Sequence, residues 1–369
     1  MTIQYHTYPS FQNEIGKLLT IREYPQIPCT PNNVEPQLIA LNEQQQLWKI
    51  NLMSGTAQRI AQLNLPDFNL SHPIQLVISP CARFAAVCHR LGRHAVVMNL
   101  ESVGIVLELS RGEYHYDKSA YPLAFIQRDD QVLLIHGTDW NRLELISLVP
   151  GVHLLSERTI PGIDSETHSH DAHYLDYFHG QLHVSPDGKH VAETGWVWAP
   201  IGVTVAWSID DWLHNVWESE DGESLDSIWQ PLIDWDVPIV WLDHERLAIW
   251  AQVDADMLDE EDWNIEGTSP AILIYNVNQR TRQEVLLDVP AFSTNFGVAD
   301  VFSYPQAQLA VSSSGTLFAW GQGLPIYSWN LVDRQVQIHD CPAVPDLYHT
   351  QADLFLKIND GTITAWRCI

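Results

Sequence analysis

Short apolar runs alternate along the chain with clusters of Gly, Asp, Asn and Ser, and one of these runs recurs. Most copies have an apolar or aromatic pair, then Asn or Ser, then an aliphatic residue, and residues that favour turns often follow. The first three copies end 48 residues apart, and the later intervals are less regular. The pattern predicts one structural unit repeated seven times. The copies end at Leu52, Leu100, Leu148, Ile209, Val277, Leu331 and Cys368.

The runs around each copy predict a meander of four short antiparallel strands. In the fourth unit the second strand follows a turn, because Pro186 presets φ and Gly188 permits a positive φ. A period of about 40 to 50 residues is typical of propeller blades. We therefore predict an all-β fold, a single seven-bladed β-propeller domain over residues 1–369 with four antiparallel strands in each blade. In the second unit the strands are predicted over 74–80, 83–89, 94–100 and 104–109.

The seventh unit lacks residues for a fourth strand, since the chain stops at Ile369. The run TIQYHTY (2–8) has the composition of a strand and is predicted to complete the last blade. That pairing would remove two sheet edges that otherwise invite aggregation. A frayed N-terminal tail is the alternative.

The repeated units resemble the WD-repeat family and related bacterial propellers, in which a strand, an SPDG-type turn, a second strand and a Trp-containing third strand recur. The Gly-His and Trp-Asp pairs of WD repeats are absent, so the resemblance implies a divergent propeller that spans nearly the whole chain. It leaves the activity open, because such propellers host many unrelated functions. The third-strand aromatic position is approximated by Trp48, Trp207, Trp329 and Trp366.

The chain is strongly acidic, with 19 Lys and Arg against 46 Asp and Glu and a net charge of -27. This charge opposes binding to nucleic acids and to anionic membranes. No apolar run approaches the roughly 18 residues of a membrane helix. The five Cys are scattered, odd in number and without CxxC spacing, which favours a reducing compartment. We expect a cytoplasmic protein, and its oligomeric state is left open.

Two acidic insertions are predicted in the fourth and fifth units, at about 210–236 and 254–269. Residues 210–266 contain 18 Asp and Glu and one basic residue, Arg246. The run over 208–219 predicts a short helix with one apolar stripe and an N-cap at Ser208 or Asp210. The stripe comprises Trp212, Leu213, Val216 and Trp217.

Four Trp of the first insertion are the candidate partner-binding residues, because Trp is enriched at interface hot spots and an acidic surround steers a basic partner. The alternative is a cap whose Trp residues pack on the blades while its carboxylates keep it soluble. The four candidates are Trp212, Trp217, Trp229 and Trp235.

Histidines are concentrated between residues 166 and 183. On an extended segment His168 and His170 point the same way, and His173 could join them if the loop curls. These three are the candidate metal ligands, although no recognised metal signature such as HExxH is present. We expect no other cofactor, because no Gly-rich phosphate loop and no nucleophile motif is found.

The pattern favours a non-enzymatic scaffold that binds a protein or peptide, and an enzyme is the less favoured reading. The alternative function is a metal-dependent hydrolase or lactonase with a divalent cation in the propeller channel. A purely structural subunit of a larger assembly is the third hypothesis.

Overall fold

A computed structural model of the chain describes residues 3–7, 15–25, 35–65, 68–158, 173–198, 201–229, 236–254, 268–286, 289, 307–359 and 362–368. Most of the second acidic insertion lies outside the described residues. So do His168, His170 and Trp235, which lie in other parts of the chain. Within the described part of the chain, no helix has the length and apolar character needed to span a membrane.

The first nine strands comprise one N-terminal strand and the two sheets that we call blades one and two. Strand β1 spans Ile3–Thr7. Blade one contains β2 (Leu18–Glu23), β3 (Gln37–Asn42), β4 (Gln46–Asn51) and β5 (Thr56–Gln62). Blade two contains β6 (Ile74–Ile78), β7 (Phe84–His89), β8 (His94–Asn99) and β9 (Gly104–Ser110).

Blades three to five follow in the same way. Blade three contains β10 (Leu123–Arg128), β11 (Gln131–Asp139), β12 (Arg142–Val149) and β13 (His153–Leu154). Blade four contains β14 (Leu182–Val184), β15 (His190–Val197), β16 (Ile201–Ser208) and β17 (Asp226–Trp229). Between its last two strands lie the helices α1 (Ile209–Trp212) and α2 (Glu218–Asp221). Blade five contains β18 (Ile239–Trp241), β19 (Arg246–Asp254), β20 (Thr268–Asn276) and β21 (Thr281–Leu286).

Blades six and seven complete the described strands. Blade six contains β22 (Ala307–Val311), β23 (Thr316–Gly321), β24 (Ile326–Asn330) and β25 (Val336–His339). Blade seven contains β26 (Leu347–His349), β27 (Leu354–Asn359), β28 (Thr362–Cys368) and the N-terminal strand β1.

Each of the seven sheets has four antiparallel strands, and in six of them the strands follow one another in chain order. In blade seven the order is β1-β28-β27-β26, with Ile3 opposite Cys368 and Thr7 opposite Thr364. The predicted fold class, seven blades of four antiparallel strands, is confirmed. In blades one to six the recurring apolar run is the third strand along the chain, and in blade seven it is β28, which lies between β27 and the N-terminal strand β1.

The chain divides into two compact units. One unit comprises Met1–Arg90, His94–Leu109 and Gln306–Ile369, and it contains blades one, two, six and seven. The other comprises Leu91–Arg93 and Ser110–Pro305, and it contains blades three, four and five. The grouping of residues 1–369 as a single domain stays a prediction.

The Asn of the recurring run ends the third strand and shapes the turn that follows. Asn51 Oδ1 accepts the amides of Met53 and Ser54 at 3.0 and 3.1 Å. Asn99 makes the equivalent bonds to the two residues after Leu100. An Asn side chain that binds the backbone two residues ahead mimics a turn, which explains why this residue type recurs at this position.

A Ser shapes the turn between the first and second strands of several blades. In blade four the Ser185 hydroxyl accepts the amides of Lys189 and His190, and Gly188 has a φ of +70°, as the sequence predicts. Ser79 plays the same part in blade two, where its hydroxyl accepts the amide of Phe84 at 3.0 Å. The turns therefore depend on local hydrogen bonds that each short motif carries with it.

The core of the second unit lies between the apolar faces of blades three and four. Alternate residues of their strands point into it, as expected for strands that are buried on one face. Burial of these side chains holds the two blades together and positions the loops at their ends. Fully buried members include Ile126, Ile135, Leu143, Val191 and Trp207.

Candidate interaction surface

The acidic insertion of blade four forms two four-residue helices instead of the single helix predicted over 208–219. Ser208 caps α1, since its hydroxyl accepts the amide of Asp211 at 3.1 Å. Asn215 then interrupts the helix, because its Oδ1 accepts the amide of Trp217 and its Nδ2 donates to Glu218. The predicted single apolar stripe is therefore wrong, and the four residues do not share one face.

Trp212 lies in the hydrophobic core rather than on the surface. Its side chain is only 1 % exposed and packs edge-on against Trp207, with ring centroids 5.9 Å apart. Leu213, its neighbour in the predicted stripe, is 39 % exposed. We therefore correct the assignment of Trp212 as a partner-binding residue. Its buried indole stabilises the insertion and cannot touch a partner.

Trp217 is half-buried and contacts two basic side chains. The ring of His173 lies parallel to it, with centroids 4.3 Å apart and an interplanar angle of 6°. The guanidinium carbon of Arg158 lies 5.1 Å from the centroid of the Trp217 ring. His173 Nδ1 also lies 2.9 Å from both carboxylate oxygens of Asp221. Trp217 thus makes contacts within the protein itself, with His173 and Arg158.

A buried ion pair fastens α2 to blade three. Arg158 Nη2 donates to Glu220 Oε1 at 2.5 Å, and both side chains are almost completely buried. Arg158 Nη1 donates to Glu144 at 3.2 Å and to the carbonyl of Ser156 at 2.8 Å. These bonds satisfy two charges that burial would otherwise penalise strongly.

The remaining sequence-predicted site residues are only partly described. Trp229 is half-buried in β17. Trp235, His168 and His170 lie outside the described residues. In the described part of the chain, no group of three or more His, Cys, Asp or Glu side chains could hold a metal ion. The metal site and the hydrolase alternative stay hypotheses.

A second cluster of aromatic side chains lies where loops of blades three and four meet, and we call it the aromatic surface. Tyr114 is 47 % exposed, Trp198 is 45 % exposed and Tyr174 is 36 % exposed. Ring contacts connect them, because Tyr114 lies 6.1 Å from Trp198 and 5.6 Å from Trp140, and Trp140 lies 6.4 Å from Tyr174. The aromatic surface comprises Tyr114, His115, Trp140, Tyr174 and Trp198.

Two fully buried rings support the aromatic surface from below. Phe178 and Trp196 stack with centroids 3.7 Å apart and 5° between their planes, and each is 1 % exposed. Their backbones form two hydrogen bonds, of 2.7 and 3.2 Å, which fix the segment before β14 against the end of β15. Gly195 permits this approach, because a Cβ there would overlap the Phe178 carbonyl oxygen and the Tyr177 ring.

Arg111 holds the loop that carries Tyr114 and His115. This buried guanidinium donates to the carbonyls of Tyr116 at 2.5 Å, Ser119 at 2.9 Å and Ala120 at 3.3 Å, and to Gly92 at 2.8 Å. One rigid planar fork therefore binds three carbonyls of this loop and one of the Gly92 turn. The loop is held in place although only three of its residues form a short helical turn.

Buried carboxylates fasten the adjoining segments. Asp236 accepts the amides of Ala120 at 3.1 Å and Gln181 at 3.3 Å. Glu193 is fully buried and accepts the amide of Gly180 at 2.8 Å, and its other oxygen lies 2.7 Å from His179 Nδ1. These acids bind backbone amides and a ring nitrogen beneath the surface, so their hydrogen bonds serve to position the loops.

Acidic groups also flank the exposed rings. Asp176 is exposed and lies two residues after Tyr174, and burial together with the charge of Asp176 raises the pKa of Tyr174. Asp139 lies close to Gly112 at the base of the loop, and its Oδ1 accepts the amide of Trp140 at 2.8 Å. The surface can therefore present aromatic faces and carboxylates to the same ligand.

None of the five residues of the aromatic surface was identified from the sequence. For four of them the signal was aromatic residues near the ends of strands in three separate places, 112–116, 139–140 and 195–198, and Tyr174 lies in a fourth. Only folding brings these stretches together, whereas the Trp residues of the acidic insertion are conspicuous along the chain because of the charges beside them.

Several solved structures share the fold of this chain. The β-propeller domain of Myceliophteria thermophila Cps50 (Swd1) has 12 % identity and a TM-score of 0.55, with 100 % of both chains covered. The RRP9 WD40 repeats have 10 % identity and a TM-score of 0.54, with 99 % of each chain covered. Kuenenia stuttgartiensis hydrazine synthase has 12 % identity and a TM-score of 0.52, with 90 % of this chain and 92 % of that chain covered.

At identities this low, the likeness establishes the fold and nothing finer. The chain is a seven-bladed β-propeller, and WD40 propellers are among its structural neighbours. No protein-family model matches the chain, and no curated protein sequence matches it.

Proposed function

We propose that the protein is a non-enzymatic scaffold that binds a protein partner through the aromatic surface. The observation that carries this proposal is the grouping of exposed rings. Among the described residues, every Trp, Tyr or Phe side chain that is at least 36 % exposed belongs to this one surface, namely Tyr114, Tyr174 and Trp198. Large exposed aromatic patches are characteristic of protein interfaces, where Trp and Tyr supply most of the binding energy.

The construction of the surface supports the same function. Rings held on a buried base lose little conformational freedom when a partner binds, so less of the binding energy is spent on ordering them. The stacked pair Phe178 and Trp196 and the guanidinium of Arg111 supply that base. The WD40 propellers among the structural neighbours make a scaffold role a reasonable expectation for this fold.

The net charge of -27 favours a partner with a basic surface, because opposite charge accelerates association and excludes acidic competitors. We also propose a cytoplasmic location and a place among the bacterial SPDG-type propellers. The Ser185–Gly188 turn, with its Ser hydroxyl and left-handed Gly, supports the second of these.

A site-specific photo-crosslinker tests the proposal in cells. The crosslinking amino acid is placed at Tyr174, which is 36 % exposed and leaves Trp198 in place, and, as the control, at Ile338, which is 58 % exposed on β25 in the other unit. We expect a discrete crosslinked protein from position 174 and none from position 338. That protein, once purified, should bind the wild-type chain and bind Trp198→Ala at least about tenfold more weakly, as expected for loss of a hot-spot residue.

Two results would overturn the proposal. One is the absence of any crosslink that is specific to position 174 in cells where the protein is present at its normal level. The other is a specific partner whose affinity is the same for the wild type and for Trp198→Ala. Met53→Ala is the matched surface variant, since Met53 is 66 % exposed and lies in the unit that lacks the aromatic surface, and it should leave the affinity unchanged.

A further inference from the structure

We infer that the aromatic surface binds a positively charged side chain, Arg or Lys, presented by the partner. This inference rests on the proposed function and names the chemistry of the contact. Three observations carry it: the exposed rings, an exposed carboxylate two residues from one of them, and the way this protein already uses its own cations.

The rings provide the attractive face. An aromatic ring carries negative charge on its face, and Trp attracts a cation more strongly than Tyr or Phe does. The Trp198 ring meets both His115 and Phe178 nearly at right angles, with interplanar angles of 81° and 89°. Tyr114 approaches it at 67°. These neighbours contact Trp198 in edge-to-face arrangements that leave 45 % of the residue exposed.

Asp176 provides the counter-charge. It is exposed, it lies two residues from Tyr174, and within the described chain it forms no hydrogen bond or ion pair. Burial, and after it the charge of Asp176, raises the pKa of the Tyr174 hydroxyl, so this carboxylate acts on the part of the aromatic surface that Tyr174 forms. A carboxylate beside aromatic faces suits a guanidinium or an ammonium, and it disfavours an anionic ligand.

The protein's own cations already show the same pairing elsewhere. Basic side chains lie over rings outside the aromatic surface in these pairs of described residues: Lys49 with Tyr24, Arg83 with Phe84, Arg93 with Tyr116, Arg111 with Tyr121 and Arg158 with Trp217. None of these five pairs uses a ring of the aromatic surface. With 19 basic residues against 46 acidic ones, a cation for that surface is most readily supplied by another molecule.

The test measures binding of a fluorescein-labelled peptide with four Arg-Gly repeats to the full chain by fluorescence anisotropy. The comparison peptide carries citrulline in place of Arg, which keeps the shape and removes the charge. We expect the Arg peptide to bind at least about tenfold more tightly than the citrulline peptide. This factor is larger than one exposed cation–π contact provides, because several Arg residues of the peptide can occupy the site in turn.

Four variants separate a specific contact from general attraction to an acidic protein. Trp198→Leu keeps an apolar side chain but removes the ring face, and it should weaken binding of the Arg peptide at least about threefold. Trp198→Phe should restore most of the affinity. Asp176→Asn should weaken binding by a similar factor, whereas Asp333→Asn, an exposed acid in the other unit, should change it less than about 1.5-fold.

The inference is overturned if citrulline and Arg peptides bind equally, if Trp198→Leu binds like the wild type, or if Asp333→Asn weakens binding as much as Asp176→Asn does. Circular dichroism and thermal unfolding establish that each variant is folded, as expected for exposed positions. Its failure is distinguishable from failure of the proposed function. Suppose that a crosslinked partner needs Trp198 but binds with unchanged affinity after its own Arg and Lys are neutralised. The inference of a bound cation would then be wrong, and the proposed scaffold function would stand.

Discussion

His173 and Trp217 stack face to face, with ring centroids 4.3 Å apart and 6° between their planes. The two residues stand 44 positions apart in the sequence, where one suggested a metal site and the other a partner-binding platform. Their stacking, together with the contact of His173 with Asp221, joins the two features into a single internal contact. The acidic insertion is therefore held against the His-rich segment at His173.

Removing the Trp217 ring should destabilise this insertion. Trp217→Ala loses the stack with His173 and the contact with Arg158, and we expect the free energy of unfolding to fall by about 2 kcal/mol. Trp217→Phe keeps an aromatic face and should lose less than half of that. Urea unfolding followed by circular dichroism measures both. The affinity for the Arg peptide should be unchanged in either variant. A large loss of affinity in Trp217→Phe would show that Trp217 takes part in binding.

The ion pair between Arg158 and Glu220 should be far more sensitive than an exposed one. Arg158→Met leaves the Glu220 carboxylate buried without its partner, so we expect a loss of about 3 to 5 kcal/mol in the free energy of unfolding. Arg83→Met breaks an exposed pair with Glu101 and should cost less than about 1 kcal/mol.

The double variant Arg158→Met with Glu220→Leu separates lost charge from lost packing. It leaves no unpaired charge at position 220, so part of the stability should return. Equal losses in the single and double variants would show that packing of the Arg158 side chain, and not the charge of Glu220, decides the stability. Urea midpoints of the three proteins, measured in one buffer, give the comparison.

Gly195 should tolerate no side chain, whereas Gly151 should. A methyl group at position 195 would overlap the Phe178 carbonyl oxygen and the Tyr177 ring, while the space around Gly151 is open. We expect Gly195→Ala to cost about 3 kcal/mol and Gly151→Ala to change stability by less than about 0.5 kcal/mol. Because Phe178 is part of the base of the aromatic surface, Gly195→Ala should also weaken binding of the Arg peptide, and unchanged affinity would show that the base is dispensable.

His136 should make the protein less stable in mild acid. Burial lowers its pKa to about 4, against about 6.5 in the unfolded chain, although the Gly137 carbonyl opposes the shift. The unfolded chain therefore takes up a proton first as the pH falls. The contribution of the neutral ring to stability is complete above about pH 6.5 and is lost progressively between pH 6.5 and 4.

At pH 5 this loss amounts to about 2 kcal/mol, relative to pH 7.5. Urea unfolding at the two pH values measures it. His136→Gln should reduce the difference between the two pH values by about that amount, because it removes the buried ring and leaves the other histidines in place. His153→Gln, an exchange of the same kind at an exposed position, is the control. An unchanged pH dependence in His136→Gln would contradict the assignment.

The strands and their turns were predictable because their signals are local. The second blade follows its predicted ranges to within two residues at each end, from Ile74 to Ser110. Asn99 and Ser79 bind amides only a few residues away, so the same short motif produces the same turn in each blade. The helix over 208–219 was mispredicted because the hydrogen bonds of Asn215, which interrupt it, compete with helical periodicity.

The candidate site could not be predicted in the same way. Trp212 and Trp198 are the same residue type beside apolar and polar neighbours, yet one is 1 % exposed and the other 45 %. That difference depends on which residues from distant parts of the chain pack against each indole. The Trp207 ring packs against the first, whereas Tyr114, which packs against the second, is itself 47 % exposed.

The sequence by itself determined the number of strands in a blade, the number of blades, the turn chemistry and the overall charge. Each of these follows from strand alternation, from short-range hydrogen bonds or from simple composition. Only the tertiary structure decided that Arg158 meets Glu220 across 62 residues, and that Tyr114, Trp140 and Trp198 share one surface. The physical reason is that such contacts depend on how separate blades and loops pack, and that packing leaves no periodic mark along the chain.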